Sequence, residues 1–127
     1  MTAILLALSL VFSPAAPPRS VGVASWYDAT RNGQSSWYSR AGILNYAAIA
    51  GWRWRDKPYM LRVCRQDDKT RCVIVTVVDW CGRCNKDAGG KWNRNSRILD
   101  LSPAAFTKLE SLGRGLVRVS IQAIQPR

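Results

Sequence analysis

The chain of 127 residues contains no histidine. That removes the side chain that most readily moves protons near neutral pH, and leaves acid–base chemistry to carboxylates. Carboxylates are themselves scarce, with 8 Asp and Glu against 19 Lys and Arg, a formal charge of +11. Such a balance attracts polyanions. A long hydrophobic run is missing too: Ala3 to Phe12 is too short to span a bilayer. Ser13-Pro14-Ala15-Ala16-Pro17-Pro18 follows it, and the two stretches together read as the h-region and cleavage zone of a secretory signal. The expected organisation is a signal peptide over 1–16, a short linker over 17–20 and one domain over 21–127. Contact with a membrane then requires an uncleaved signal, and lipid anchoring has no cysteine near the cleavage zone to use. An exported chain meets wall polymers before nucleic acid, so nucleic acid is not the expected partner. No internal repeat is present.

Four cysteines, Cys64, Cys72, Cys81 and Cys84, form an even set in an exported chain, which favours disulfides. Leu61 to Cys64 and Cys72 to Val75 resemble two strands about the polar turn Gln66-Asp67-Asp68-Lys69. Symmetry about Asp68 sets Cys64 opposite Cys72, within bridging reach. The expected pairs are Cys64–Cys72 and Cys81–Cys84. A structural zinc site is the rival, but it ordinarily draws on two close-spaced pairs and only Cys81-Gly-Arg-Cys84 is one. No helix obviously starts at that pair, which argues against a thioredoxin-like role. No metal or cofactor is expected.

Val21 to Asp28 alternates like a short strand. Ala41 to Ala50 is small and apolar, a short helix or a strand with a loop. Gly51-Trp52-Arg53-Trp54-Arg55-Asp56-Lys57-Pro58 is a basic aromatic loop, and Cys72 to Val78 is rich in β-branched residues. Cys81 to Arg97 reads as a long loop, with Lys91, Arg94 and Arg97 as solvated charge. Ser102 followed by Pro103 marks a helix start, continuing to Leu112 with Phe106 and Leu109 on one face, and Gly113 ends it. Leu116 to Ile124 closes the chain as an alternating strand with Val117, Val119 and Ile121 inward. Many short strands and one late helix predict an all-β domain, a small closed barrel without exposed strand edges.

Two apolar runs end on an aspartate: Val75-Thr-Val-Val-Asp79 and Ile98-Leu-Asp100. An aspartate at the mouth of a buried strand is reachable by substrate while partly desolvated, so Asp79 and Asp100 are the candidate catalytic residues. Asp100 has a second reading, because an aspartate two residues before a helix can accept backbone N–H bonds and fix a loop. The 6 tryptophans exceed what one small core holds. Trp26, Tyr27, Trp52, Trp54 and Trp80 are the candidate substrate-binding aromatics, their flat rings suited to stacking on sugars.

These residues resemble the double-psi β-barrel domain of the rare lipoprotein A family and, more distantly, expansins, barwin and family-45 endoglucanases. The resemblance spans Val21 to about Ile124. It is carried by Gly22-Val-Ala-Ser-Trp-Tyr27, Val75-Thr-Val-Val-Asp79, Ile98-Leu-Asp-Leu-Ser-Pro-Ala-Ala-Phe106, Leu112-Gly-Arg-Gly115 and Val117-Arg-Val-Ser-Ile121. It implies a six-stranded double-psi barrel in one domain, with Asp79 and Asp100 at the family's two aspartate positions and Tyr27 in the shared groove. The chain departs from the pattern where the family's active-site histidine falls near Ile49, and where Asp79-Trp80-Cys81-Gly82 replaces Asp-Arg-Gly-Pro.

The resemblance implies a secreted, monomeric protein acting on peptidoglycan or another anionic wall glycan, as a lytic transglycosylase leaving 1,6-anhydro ends. One carboxyl group suffices for that chemistry, whereas hydrolysis with inversion needs two carboxyls roughly 6.5–9.5 Å apart. Two alternatives stand beside it. One is a non-catalytic, expansin-like module that binds or loosens wall polysaccharide; the other is a barwin-like secreted defence protein.

Overall fold

The structure, a computed structural model, describes residues 20–29, 42–53, 55–85 and 95–124. The expected signal peptide, Trp54, Lys91 and Arg94 lie outside the described residues. The strands are β1 (Val21–Trp26), β2 (Tyr46–Ile49), β3 (Tyr59–Arg65), β4 (Cys72–Trp80), β5 (Arg97–Leu101) and β6 (Val117–Ile124), with one short helix, α1 (Pro103–Thr107). They close into a barrel in the order β1-β5-β2-β4-β3-β6, bearing out the six-stranded all-β expectation.

Half of the barrel is regular. β3 and β4 form the hairpin, with Cys64 opposite Cys72 and bridged to it. Leu61 and Val63 of β3 and Val73, Val75 and Val77 of β4 point into the core. Val117, Val119 and Ile121 of β6 join them, as alternation requires. The turn is held by Asp68, whose Oδ1 accepts from the Thr70 N–H at 3.0 Å and from its hydroxyl at 2.6 Å.

The other half is irregular. β1 runs parallel to β5, and β2 runs parallel to β4, while β2 and β5 pair antiparallel. Both parallel pairs carry a register shift. Val23 faces Arg97 and Ala24 faces Leu99, leaving Ile98 as an extra residue; Ala47 faces Val77 and Ala48 faces Asp79, leaving Val78 extra. An extra residue re-phases the alternation of its strand. Two consecutive buried residues therefore precede each aspartate position: Val77 and Val78 before Asp79, and Ile98 and Leu99 before Asp100. Close packing between β1 and β5 depends on Gly22, where a Cβ would stand 2.5 Å from Ile98 Cγ2 and 2.9 Å from the Ser96 carbonyl.

The segment read as helix or strand resolves as strand β2. α1 begins as expected, Ser102 Oγ accepting from the Ala105 N–H at 3.3 Å, but it ends at Thr107 instead of Leu112. Beyond it, the N–H groups of Lys108 and Leu109 reach back three residues, to Ala105 and Phe106, so the chain tightens. A separate 3-10 turn covers Leu112–Arg114, and Gly115, at φ +73°, closes it in place of Gly113. Phe106 and Leu109 still share the buried face.

Candidate functional site

Asp79 and Asp100 come together because β5, β2 and β4 are neighbours. Ala48 of β2 is the register partner of Asp100 on one side and of Asp79 on the other. The two aspartates thus flank one alanine, their Cα atoms two strand spacings apart, about 9–10 Å. Ala47 and Ile49 point into the core, whereas Ala48 packs outside it with Cys81, Cys84 and Tyr27. The pair therefore lies on the outer wall of the barrel, at the floor of a cleft of about 590 Å³.

Each carboxylate has its own support. The Tyr27 hydroxyl donates to Asp79 Oδ2 at 3.1 Å, and the Trp80 N–H donates to Oδ1 at 2.8 Å. Tyr27 is set by an edge-on contact with Tyr46, ring centres 5.5 Å apart, and Tyr46 in turn accepts from the Ala29 N–H at 3.0 Å. The Ser25 hydroxyl donates to Asp100 Oδ1, and Arg97 Nε lies 4.0 Å from the same oxygen. Cys81 Sγ is 3.5 Å from Asp100 Oδ2, a contact without a proton, because the sulfur is bridged to Cys84. The loop-fixing role considered for Asp100 belongs to Ser102. Its hydroxyl donates to the Leu44 carbonyl at 2.7 Å and accepts from the Tyr46 and Ala105 N–H groups.

Trp26 and Trp80 line the cleft at the ends of β1 and β4, and both are exposed. The Trp26 indole N–H donates to the Leu112 carbonyl at 3.1 Å, which fixes the ring. Trp80 is 64 % exposed and leans over Gly82, where a Cβ would meet the indole at 2.9 Å. Trp52 corrects the expectation: it is 8 % exposed and packs in the barrel core. The chain turns sharply after β2, the Trp52 N–H reaching the Ile49 carbonyl at 3.5 Å, which returns the indole to the interior.

Several cleft residues have no signal as site residues in the sequence, among them Ser25, Ala48, Arg97 and Arg83. Ser25 and Ala48 are small outward positions on strands, legible only once the strand faces are known. Arg97 reads in the sequence as solvated loop charge, yet it starts β5, and the bulge at Ile98 brings it to the same face as Asp100. Arg83 lines the cleft beside the disulfide. Among the described residues no group of three or more Cys, Asp or Glu is placed to hold a metal ion. All four cysteines are bridged, in the expected pairs Cys64–Cys72 and Cys81–Cys84.

A family model described as lytic transglycolase, a double-psi β-barrel domain, matches residues 19–121. A search of curated proteins found no match. Among solved structures, the chain is similar to an aspartate-to-asparagine mutant of a Clavibacter michiganensis expansin in complex with cellohexaose. Identity is 20 %, the TM-score is 0.55, and the match covers 85 % of this chain and 52 % of the expansin chain. This chain thus spans about half the length of that neighbour, with which it shares the fold.

Proposed function

The chain belongs to the lytic transglycolase family of double-psi β-barrels, and on that premise we propose that it is a secreted protein that binds and cleaves a wall glycan, peptidoglycan, in the cleft. The observation that carries this reading is the pair Asp79 and Asp100 on either side of Ala48, with the exposed rings of Trp26 and Trp80 in the same cleft. Flat rings stack on sugar faces and hold the strand. Ala48, the small residue between the carboxyls, lines the cleft with them.

In the proposed reaction one carboxyl group gives its proton to the glycosidic oxygen as the anomeric C–O bond breaks. The resulting carboxylate then takes the proton of the muramoyl 6-hydroxyl as that oxygen bonds to the anomeric carbon. The second carboxylate faces the positive charge that develops on the ring. No water is consumed, and a 1,6-anhydro end is the product. Tyr27 and Ser25 orient the two carboxyls by the hydrogen bonds they donate. The two disulfides suit an oxidising compartment, which supports secretion.

A non-catalytic binding module is the second reading, and one observation favours it. Ile49, at the position where the resemblance expects a histidine, is fully buried in the core, so no proton-transfer group stands there. The deciding experiment digests purified glycan strands and seeks anhydro-muramic ends by mass spectrometry. An enzyme forms them, and Asp79→Asn or Asp100→Asn lowers their yield at least about a hundredfold, the scale of a lost general acid. Wild-type protein that binds glycan yet forms no anhydro ends at any pH is the binding module. Anhydro ends that persist in both variants overturn the carboxylate mechanism.

A further inference from the structure

The excess positive charge does not find a surface shared with Trp52 in the Trp52–Lys57 loop: Arg53, Arg55 and Lys57 are exposed there, but Trp52 is withdrawn into the core. Another basic surface lies on the opposite wall of the barrel. Arg118, Ser120 and Gln122 alternate outward along β6, while Val117, Val119 and Ile121 fill the core. Successive outward positions on a strand are about 7 Å apart. Each of these three rows carries a cation. Arg118 occupies the first itself. The Lys69 ammonium is fixed on the second, donating to Ser120 Oγ at 2.9 Å. Arg62 of β3 is the register partner of Gln122 on the third. A groove of about 530 Å³ over the Cys64–Cys72 bridge holds Arg62, Lys69, Ser120 and Gln122, and no carboxylate lines it.

The nearby carboxylates are already engaged. Asp67 and Glu110 both bind the Arg65 guanidinium, at 2.7 and 3.0 Å, and Asp68 binds Thr70. Among the described residues Arg62, Lys69 and Arg118 have no ion-pair partner. Three cations in line, with Ser120 and Gln122 between them as neutral hydrogen-bonding groups, complement a chain of regularly spaced anions. Phosphodiester oxygens accept from guanidinium and ammonium groups alike.

We propose that Arg118, Lys69 and Arg62 form a second binding site, opposite the cleft, for a linear polyol-phosphate wall polymer. Such a site holds the protein on the wall while the cleft is free to engage glycan. Its polymer is anionic at every repeat, and on the proposed secretion, which the two disulfides suit, the protein meets such polymers outside the cell.

The test measures binding of purified poly(glycerol phosphate) to the whole chain across a salt series. The triple variant Arg62→Gln, Lys69→Gln, Arg118→Gln should bind at least about tenfold more weakly at low salt. The slope of log affinity against log salt should flatten by about two to three, close to one per lost phosphate contact. A control variant, Arg53→Gln, Arg55→Gln, Lys57→Gln, removes the same charge from the loop between β2 and β3 and should change affinity less than about twofold. Equal losses in the two variants overturn the proposal, because bulk charge then explains the binding. So does an unchanged affinity in the first variant. Single-stranded DNA of matched charge binding tenfold more tightly than the polymer overturns it in favour of a nucleic-acid site. All substituted side chains are exposed, and unchanged thermal melting verifies that each variant is folded.

Discussion

The two walls of the barrel are built by different rules. The wall of β3, the outer part of β4, and β6 is antiparallel and keeps strict alternation, so its outer surface is a plain lattice of Arg62, Ile74, Arg118 and Gln122. The wall of β1, β5 and β2 contains parallel pairs with an extra residue in each, and there alternation fails. The failure is productive. With Ile98 in regular register instead of bulged, Arg97 and Asp100, three residues apart, would sit on opposite faces of β5, and the cleft would lose a charge. A regular sheet displays residues on a fixed grid; a bulged one can bring two chosen side chains together.

If the walls are separable, removing a staple from one should leave the other working. The largest expected effect is on the hairpin. Cys64→Ser with Cys72→Ser should cost roughly 2–4 kcal/mol by the loop-entropy account, seen in chemical denaturation. Glycan binding below the lowered melting temperature should be unchanged. Cys81→Ser with Cys84→Ser closes a shorter loop and should cost less stability, but should weaken glycan binding, because Cys81 touches Asp100 and Cys84 packs under Ala48. Binding lost equally in both variants would merge the walls into one unit.

The next effects lie in the cleft wall and concern space. Ala48→Leu places a branched side chain between the two aspartates and should reduce glycan affinity at least about tenfold; because Ala48 is buried against Cys81 and Cys84, binding is read well below the melting temperature of the variant. An affinity that is unchanged would mean that glycan does not pass between the carboxyls. Gly22→Ala drives a methyl group against Ile98 and the Ser96 carbonyl, and should cost about 1–3 kcal/mol as overpacking. If that variant melts like wild type, β1 and β5 are looser than their register implies.

The sequence was legible where one physical rule acted alone. Alternation located β3, β4 and β6, and hairpin symmetry paired Cys64 with Cys72. Ser102-Pro103 marked the helix start. Strand content alone pointed to a closed barrel, but its six-stranded double-psi arrangement came from family resemblance, because parallel pairing leaves no local signature. The extra residues Val78 and Ile98 were invisible, since an apolar residue reads the same in step or out of step. For that reason the sequence names Asp79 and Asp100 without relating them to Ala48, and Arg97 reads there as solvated charge. Tryptophan content predicted that some rings are exposed. It could not say which, and Trp52 is held inside by a turn that its own neighbours do not announce.

The smallest expected effect belongs to the regular wall and concerns one atom. Tyr59 opens β3 and packs against the core, and its hydroxyl is buried without a hydrogen-bond partner among the described residues. Burial, reinforced by the nearby negative charge of Asp56, pushes its phenol up to about 12. The folded state therefore keeps the proton where the unfolded chain, ionising near its ordinary 10, has released it. By linkage this group leaves stability untouched below about pH 10, and stability is lost as pH rises from about 10 to 12. Tyr59→Phe removes both the unpaired hydroxyl and its titration. It should leave stability at pH 7 unchanged or raise it by up to about 1 kcal/mol, since an unmet buried donor is a cost. The decline of the melting temperature above pH 10 should become shallower. A variant that is clearly less stable at neutral pH would show that the hydroxyl has a partner in solution, and that even the regular wall holds a polar contact which alternation does not reveal.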